Sequence, residues 1–206
     1  SQEYILNEDD RYKNGDFWKK FPQLENLFLN TAGKFLKSVY QCEYKILFGV
    51  SYKSVNRNEH PVGSQLWHFD GSPGTCINLM YCLGPVGPEN GAMECISWPD
   101  SFAIYEMERK SFPFREYEKI GKEKDFIRTK RAVFFEDKIN KRFGNRVNQP
   151  TSDGGMLLFF RNNCLHKGGF VQPGESRYVS VFNIYPSHVP PDFIDYRSKG
   201  LSKTEN

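Results

Sequence analysis

The sequence has no apolar run near the roughly 18 residues that a membrane helix needs. Its first stretch, SQEYILNEDDRYK, contains no apolar core of the kind that drives secretion. The chain opens on serine rather than methionine, which suggests a trimmed start. The five cysteines (Cys42, Cys76, Cys82, Cys95 and Cys164) are odd in number and include no CxxC pair. Reduced, buried thiols therefore fit better than a disulfide framework or a zinc site. Internal repeats and low-complexity runs are also missing. These absences predict a soluble, cytoplasmic protein with no membrane partner.

Aromatic residues, by contrast, are plentiful: 18 Phe and 11 Tyr help bring the aromatic fraction to 16%, which excludes a disordered chain. At 206 residues the expectation is one domain, 1–206, with a single sizeable core. Its 17 Gly and 12 Pro imply many turns and favour a β-rich architecture over a helical bundle. Net charge is +3 but uneven: Glu108–Arg146 holds thirteen Lys/Arg against seven Asp/Glu, leaving the rest at −3. Such a basic surface steers anionic ligands; a solvated, partly helical, lysine-rich insertion explains it equally well.

Residues 16–41 place Leu24, Leu27, Phe28, Phe35, Leu36 and Tyr40 at helical spacing, with Gly33 as a weak point. EYKILFGVSYKSV (43–55) then reads as a strand. TCINLMYCLGPV is a second strand, ended by Gly84 and Pro85. GPENGAMECISWPDS reads as a turn, a short strand and a Trp-Pro exit. Residues 103–150 form a charged insertion with helix expected around 114–124. The β pattern returns in SDGGMLLFFRNNCLHKGG, and SRYVSVFNIYP alternates cleanly; the tail after Tyr185 is Pro-rich, then polar, and is expected to end in disorder. The whole predicts a mainly β fold: a jelly roll with flanking N-terminal helices, or a sandwich of another topology.

Only four histidines are present, and one stands two residues from an aspartate in SQLWHFDGSPG. In a strand, residues i and i+2 share a face, so His68 and Asp70 can offer a nitrogen and an oxygen to one cation. His166, which ends the run GGMLLFFRNNCLH, is the best third ligand. Two histidines and one carboxylate leave open positions on a metal, the set that suits non-haem iron. Alone, an HxD tripeptide arises often by chance, and a lone His166 would be structural. Arg177, eleven residues beyond His166, can return to the same cavity on the next strand, where a buried guanidinium needs an anion.

QLWHFDGSPG, INLMYCLGPVGPENGAMECISWPDS and GGMLLFFRNNCLHKGGFVQPGESRYVSVFNIYP together resemble the phytanoyl-CoA dioxygenase-like family of Fe(II)- and 2-oxoglutarate-dependent oxygenases, over about 43–187. The resemblance implies a double-stranded β-helix. It implies His68, Asp70 and His166 as iron ligands and Arg177 as the anchor for the distal carboxylate of 2-oxoglutarate. It further implies use of O2, release of succinate and CO2, and hydroxylation of a C–H bond, since the halogenase branch replaces the carboxylate retained here as Asp70. Two features depart from the pattern. ISWPDS stands where the family often has a PGSH-like segment, and Val179 stands where many wider relatives place a serine contact to the co-substrate. The strand CINLMYCL can supply that contact instead. Its more apolar face (Ile77, Leu79, Tyr81, Leu83) suits packing on the N-terminal helix and turns Asn78 to the pocket, with Tyr81 the choice if the faces are exchanged.

Lys53 and Gln65 could reach the co-substrate or substrate, although ordinary surface roles account for both. His60 and His188 sit in polar and Pro-rich turns and are expected to face solvent. Trp67 and Trp98 suit a pocket mouth or a core equally. The substrate expected is a small, anionic molecule, drawn by the basic insertion. Rival readings are a cupin-type metal enzyme without 2-oxoglutarate, a non-catalytic descendant of the fold, and a nucleic-acid-binding or -modifying protein. The last would use aromatics interleaved with the basic residues (Phe112, Phe114, Tyr117, Phe126, Phe134, Phe135, Phe143). Seven acidic residues among the thirteen basic ones, and no binding motif, count against nucleic acid.

Overall fold

The structure, a computed structural model, describes residues 22–56, 60–70, 74–111, 119–123 and 126–192. α1 (Pro22–Phe28) opens on a proline, whose fixed φ and missing N–H suit a first helical turn. It continues through a π turn (Leu29–Gly33) into α2 (Lys34–Tyr40). Gln41, at φ 56, ends the helix in the left-handed region, its N–H returning to the Lys37 carbonyl. The expected helix is thus present over its described part. Its buried stripe differs from the one expected: Phe28, Ala32 and Leu36 are inside, while Leu27 and Phe35 are 47% and 46% exposed. The wider π turn sets the buried stripe at intervals of four residues. Gly33 proves necessary rather than weak, because a Cβ there would stand 2.5 Å from the Tyr44 hydroxyl.

Eight strands follow among the described residues: β1 (Glu43–Val55), β2 (Ile77–Cys82), β3 (Glu94–Cys95), β4 (Lys119–Glu123), β5 (Phe126–Thr129), β6 (Met156–Arg161), β7 (His166–Lys167) and β8 (Ser176–Ser187). β1, β8, β2 and β6 form, in that order, an antiparallel four-stranded sheet. Tyr44, Ile46, Ile77, Leu79, Phe182 and Ile184 cover its outer face and pack on Phe28, Ala32 and Leu36 of the helices. On the inner face Asn78, Met80 and Cys82 of β2 lie beside Asn183, Val181 and Val179 of β8. The apolar members of this face pack against Val86, Ala92 and Met93.

Short extended pieces form the layer opposite. β3 pairs with β7, His68 with His166, and Cys95 with Asn148. Behind that layer lie α3 (Trp98–Ser111) and α4 (Lys130–Lys138), the latter leading into a π turn (Ile139–Phe143). Trp67, Ile96, Ile104, Phe135, Ile139, Phe143 and Leu165 fill the space between.

Two expectations need correction. The Trp-Pro exit is the start of α3: Ser97 accepts from the Asp100 N–H and its hydroxyl bonds the Asp100 carboxylate, with Pro99 in the first turn. This S-x-x-D pattern is a helix-start signature. Residues 119–123 form strand β4 instead of helix, pairing with β5, while 112–118 lie outside the described residues. So do residues 193–206, where the tail was expected to be disordered. All five cysteines are free thiols. Among the described residues no helix is long and apolar enough to cross a membrane.

Candidate metal centre

The short layer builds the site by strand pairing. His68 and His166 exchange backbone bonds (N to O 2.9 and 3.1 Å), and the Asp70 N–H donates to the Asn162 carbonyl at 3.0 Å. This brings the imidazole rings to 4.4 Å between centroids, tilted by 53°. Asp70 Oδ1 stands 3.6 Å from His68 Nε2, and Oδ2 stands 3.7 Å from His166 Nε2. One ligand atom from each residue lies within 4.8 Å of the others. These gaps are too long for direct hydrogen bonds but fit atoms that share a cation at about 2 Å each.

Each imidazole is held by its own strand. His68 Nδ1 lies 2.7 Å from the Leu66 carbonyl and His166 Nδ1 lies 2.8 Å from that of Cys164. Only a protonated nitrogen can meet a carbonyl, so Nδ1 carries a hydrogen in each ring and each Nε2 faces the centre. Burial, then the neighbouring His68, pushes the His166 imidazole down to about 4, so it is neutral at pH 7 and no proton competes for Nε2. The donor set is two imidazoles and one carboxylate, the combination that leaves three positions open on a non-haem iron.

Asn78 lies on the inner face beside Asp70, as strand parity predicts for the apolar-out register. Its Nδ2 donates to Asp70 Oδ2 at 2.5 Å, and its Oδ1 accepts from Asn183 Nδ2. Tyr81 is on the outer face, its hydroxyl 3.5 Å from Thr31 Oγ1.

Arg177, the second residue of β8, lies on the same inner face and is 4% exposed. Its Nη1 donates to the Gly91 carbonyl, and its Nε is buried without a hydrogen-bond partner. Burial pushes the guanidinium below its ordinary value, with Tyr52 and Cys82 nearby opposing the shift. The ENG turn is what aims that carbonyl. Asn90 accepts from the Gly87 N–H (2.7 Å) and donates to the Pro85 carbonyl (3.1 Å). Gly91 follows at φ 83, where a Cβ would stand 2.7 Å from the Gly169 carbonyl. Between Arg177 and the asparagine pair, Val179, Val181, Met80 and Cys82 make an apolar floor.

Other candidates lie elsewhere. Lys53 is on the outer face, its Nζ 5.4 Å from the centre of the Tyr178 ring, because β1 pairs it with Tyr178 beside the inward Arg177. Gln65 turns its Oε1 to the Val62 N–H at 3.0 Å and closes a local turn. Trp67 is buried behind the short strands, with Lys167 Nζ 5.1 Å from its ring centre. Trp98 is 39% exposed at the start of α3, beside Phe102 at 5.7 Å. His60 and His188 are exposed. Several insertion cations pair within it or with its flank: Arg109 with Glu106, Arg131 with Glu108, Lys138 and Lys141 with Asp137, and Arg146 with Asp100. Asn183 escaped the sequence reading, although it lies six residues from Arg177 and so shares its face.

No protein-family model matches the chain, and no curated protein matches it. Among solved structures, HygX from Streptomyces hygroscopicus, crystallised with iron bound, is similar over 84% of this chain and 70% of its own. That match has 13% identity and a TM-score of 0.52. EvdMO1 is 16% identical over 78% of this chain and 32% of its own, with a TM-score of 0.47. SnoN, a non-heme alpha ketoglutarate dependent epimerase from nogalamycin biosynthesis, is 10% identical over 75% and 52%, also at 0.47. The chain thus spans from about a third to 70% of the length of these structures. At such identities the likeness to HygX establishes a shared β-rich fold and nothing finer.

Proposed function

We propose that this chain is a non-haem Fe(II)- and 2-oxoglutarate-dependent dioxygenase of the phytanoyl-CoA dioxygenase-like kind, built on a double-stranded β-helix. The observation that carries the reading is the convergence of two Nε2 atoms and the Asp70 carboxylate within 4.8 Å, on the side of the short layer that faces buried Arg177. The sheet order β1-β8-β2-β6 opposite a layer of short strands supports the β-helix. The HygX fold likeness, with iron bound in that protein, points the same way.

His68 and His166 would hold the metal through their Nε2 atoms, and Asp70 would lower its charge. Iron and 2-oxoglutarate, with O2, supply the oxidising power to hydroxylate a substrate C–H bond with release of succinate and CO2. Arg177 would hold the distal carboxylate of the co-substrate through guanidinium hydrogens that Gly91 leaves over. The floor of Val179, Val181, Met80 and Cys82 suits the methylenes of a diacid and keeps water away. The substrate in this reading is a small anionic molecule, supported by the basic surplus of residues 108–146.

The test is anaerobic addition of Fe(II) and 2-oxoglutarate, watched for the weak visible charge-transfer band, followed by succinate release in air. Wild type should show both and His68→Ala neither; no band in wild type overturns the reading. One observation favours a metal enzyme that does not use 2-oxoglutarate: Arg177 already donates to the Gly91 carbonyl. If Arg177→Ala keeps full activity and 2-oxoglutarate does not bind, that reading replaces the first.

A further inference from the structure

Asp70 presents two oxygens to the same small space, and they are nearly equidistant from the two imidazoles, at 3.6 and 3.7 Å. A carboxylate so placed can bind a cation through one oxygen or through both. Binding through both fills an extra coordination position and leaves two open instead of three.

The structure breaks this symmetry. Asn78 Nδ2 donates to Oδ2 at 2.5 Å, whereas Oδ1 has no such bond from Asn78. A carboxylate only accepts, so Asn78 must turn its NH2 toward Asp70 and its carbonyl away. That carbonyl is then met by the NH2 of Asn183, across the β2–β8 pair in which the two asparagines are direct partners. The chain has a single direction, Asn183 to Asn78 to Asp70. Both carboxamides are buried, at 9% and 2% exposure, so water competes poorly for these bonds.

We infer that Asn78 and Asn183 are positioning residues that hold Asp70 as a one-oxygen ligand, through Oδ1, and so keep three metal positions open. The inference rests on the proposed metal centre. It also changes the role expected for Asn78, whose amide serves Asp70 rather than the co-substrate. Asn183, which no sequence motif marked, becomes part of the site.

The probe is Mn(II) alone, with its affinity and its number of bound waters read from water-proton relaxation. Wild type should hold three exchangeable waters. Asn78→Leu should bind Mn(II) about 10- to 100-fold more weakly and hold two. Asn183→Ala, which leaves Asn78 in place, should shift both readings in the same direction by less. A role in folding alone would lower the melting temperature without changing the water count. Should Asn78→Leu fail to fold, the water count of Asn183→Ala decides. Wild-type affinity and water count in the folded variants, with binding lost in His68→Ala, overturn the positioning role and leave the metal centre standing. Wild-type binding in His68→Ala overturns the metal centre itself.

Discussion

Glu108 of α3 is nearly closed to water, with 5% of its side chain exposed, and it grips Arg131 of α4 through two hydrogen bonds. The Arg131 guanidinium also lies over the rings of Phe69 and Phe135, at 5.7 and 5.1 Å. Glu108→Ala removes the carboxylate but leaves that cation against two aromatic faces. Breaking a buried pair from one side costs about 3–5 kcal/mol. Arg131 keeps 18% of its side chain exposed and can turn partly outward, so we expect the lower end, about 3 kcal/mol. In a chain of this size each 1 kcal/mol moves the melting temperature by about 2–4 °C, which gives a drop of about 6–12 °C. The double variant Glu108→Leu/Arg131→Leu removes both charges and should stay within about 1 kcal/mol of wild type. Urea unfolding of the wild type, Glu108→Ala and the double variant measures this directly, with an unchanged m-value confirming that stability alone moved. Phe69 sits between His68 and Asp70, so Glu108→Ala should also weaken metal binding several-fold. If the single variant loses under about 1 kcal/mol, or the double loses as much as the single, the pair does not join these helices as argued.

Four further outcomes follow from the same geometry. Leu79, wholly buried between β2 and the helices, should cost about 2–5 kcal/mol as Leu79→Ala, read by urea unfolding. The Tyr44 hydroxyl is buried without a partner, so Tyr44→Phe should raise stability by about 1 kcal/mol at neutral pH. Burial also pushes that hydroxyl up to about 12 from 10, so the unfolded chain loses its proton first. Stability is therefore untouched by this group below pH 10 and falls as pH rises from 10 through about 12. Tyr40 is raised as well, by burial first, and adds to the fall; Tyr44→Phe should flatten part of it. Gly33→Ala should destabilise the wild type, because its Cβ meets the Tyr44 hydroxyl at 2.5 Å. In the Tyr44→Phe background much of that cost should vanish, a coupling that a double-mutant cycle reads. Metal at about 100 times its Kd should stabilise the wild type by about 2.7 kcal/mol, reversibly with a chelator, and should leave His68→Ala unmoved.

The sheets were legible because strand chemistry is local. EYKILFGVSYKSV coincides with β1, and the SRYVSVFNIYP alternation with all but the last residue of β8. Parity along CINLMYCL placed Asn78 inside and Tyr81 outside, since Ile77 and Leu79 needed the helices to cover them. Three things were hidden for physical reasons. The π turns move a buried stripe by one residue without a sequence mark. The charged insertion carries no periodicity strong enough to separate the β4–β5 hairpin from helix. Asn183 acts through Asn78, a relation set by pairing between strands 105 residues apart in the chain. The start of α3 was different, because Ser97, Pro99 and Asp100 spelled it out and Trp-Pro was read as an ending.

β2 and β8 carry two messages in alternation. Residues 76, 78, 80 and 82, with 177, 179, 181 and 183, face the site, while Ile77, Leu79, Phe182 and Ile184 hold the helices. A directed-evolution library confined to the first set, sparing Asn78, Arg177 and Asn183, would change the lining of the candidate site without loosening the helix seam. Equal numbers of changes in the second set would unfold the chain before they altered its chemistry. Such a strand can change its chemistry and keep its fold, one letter in two.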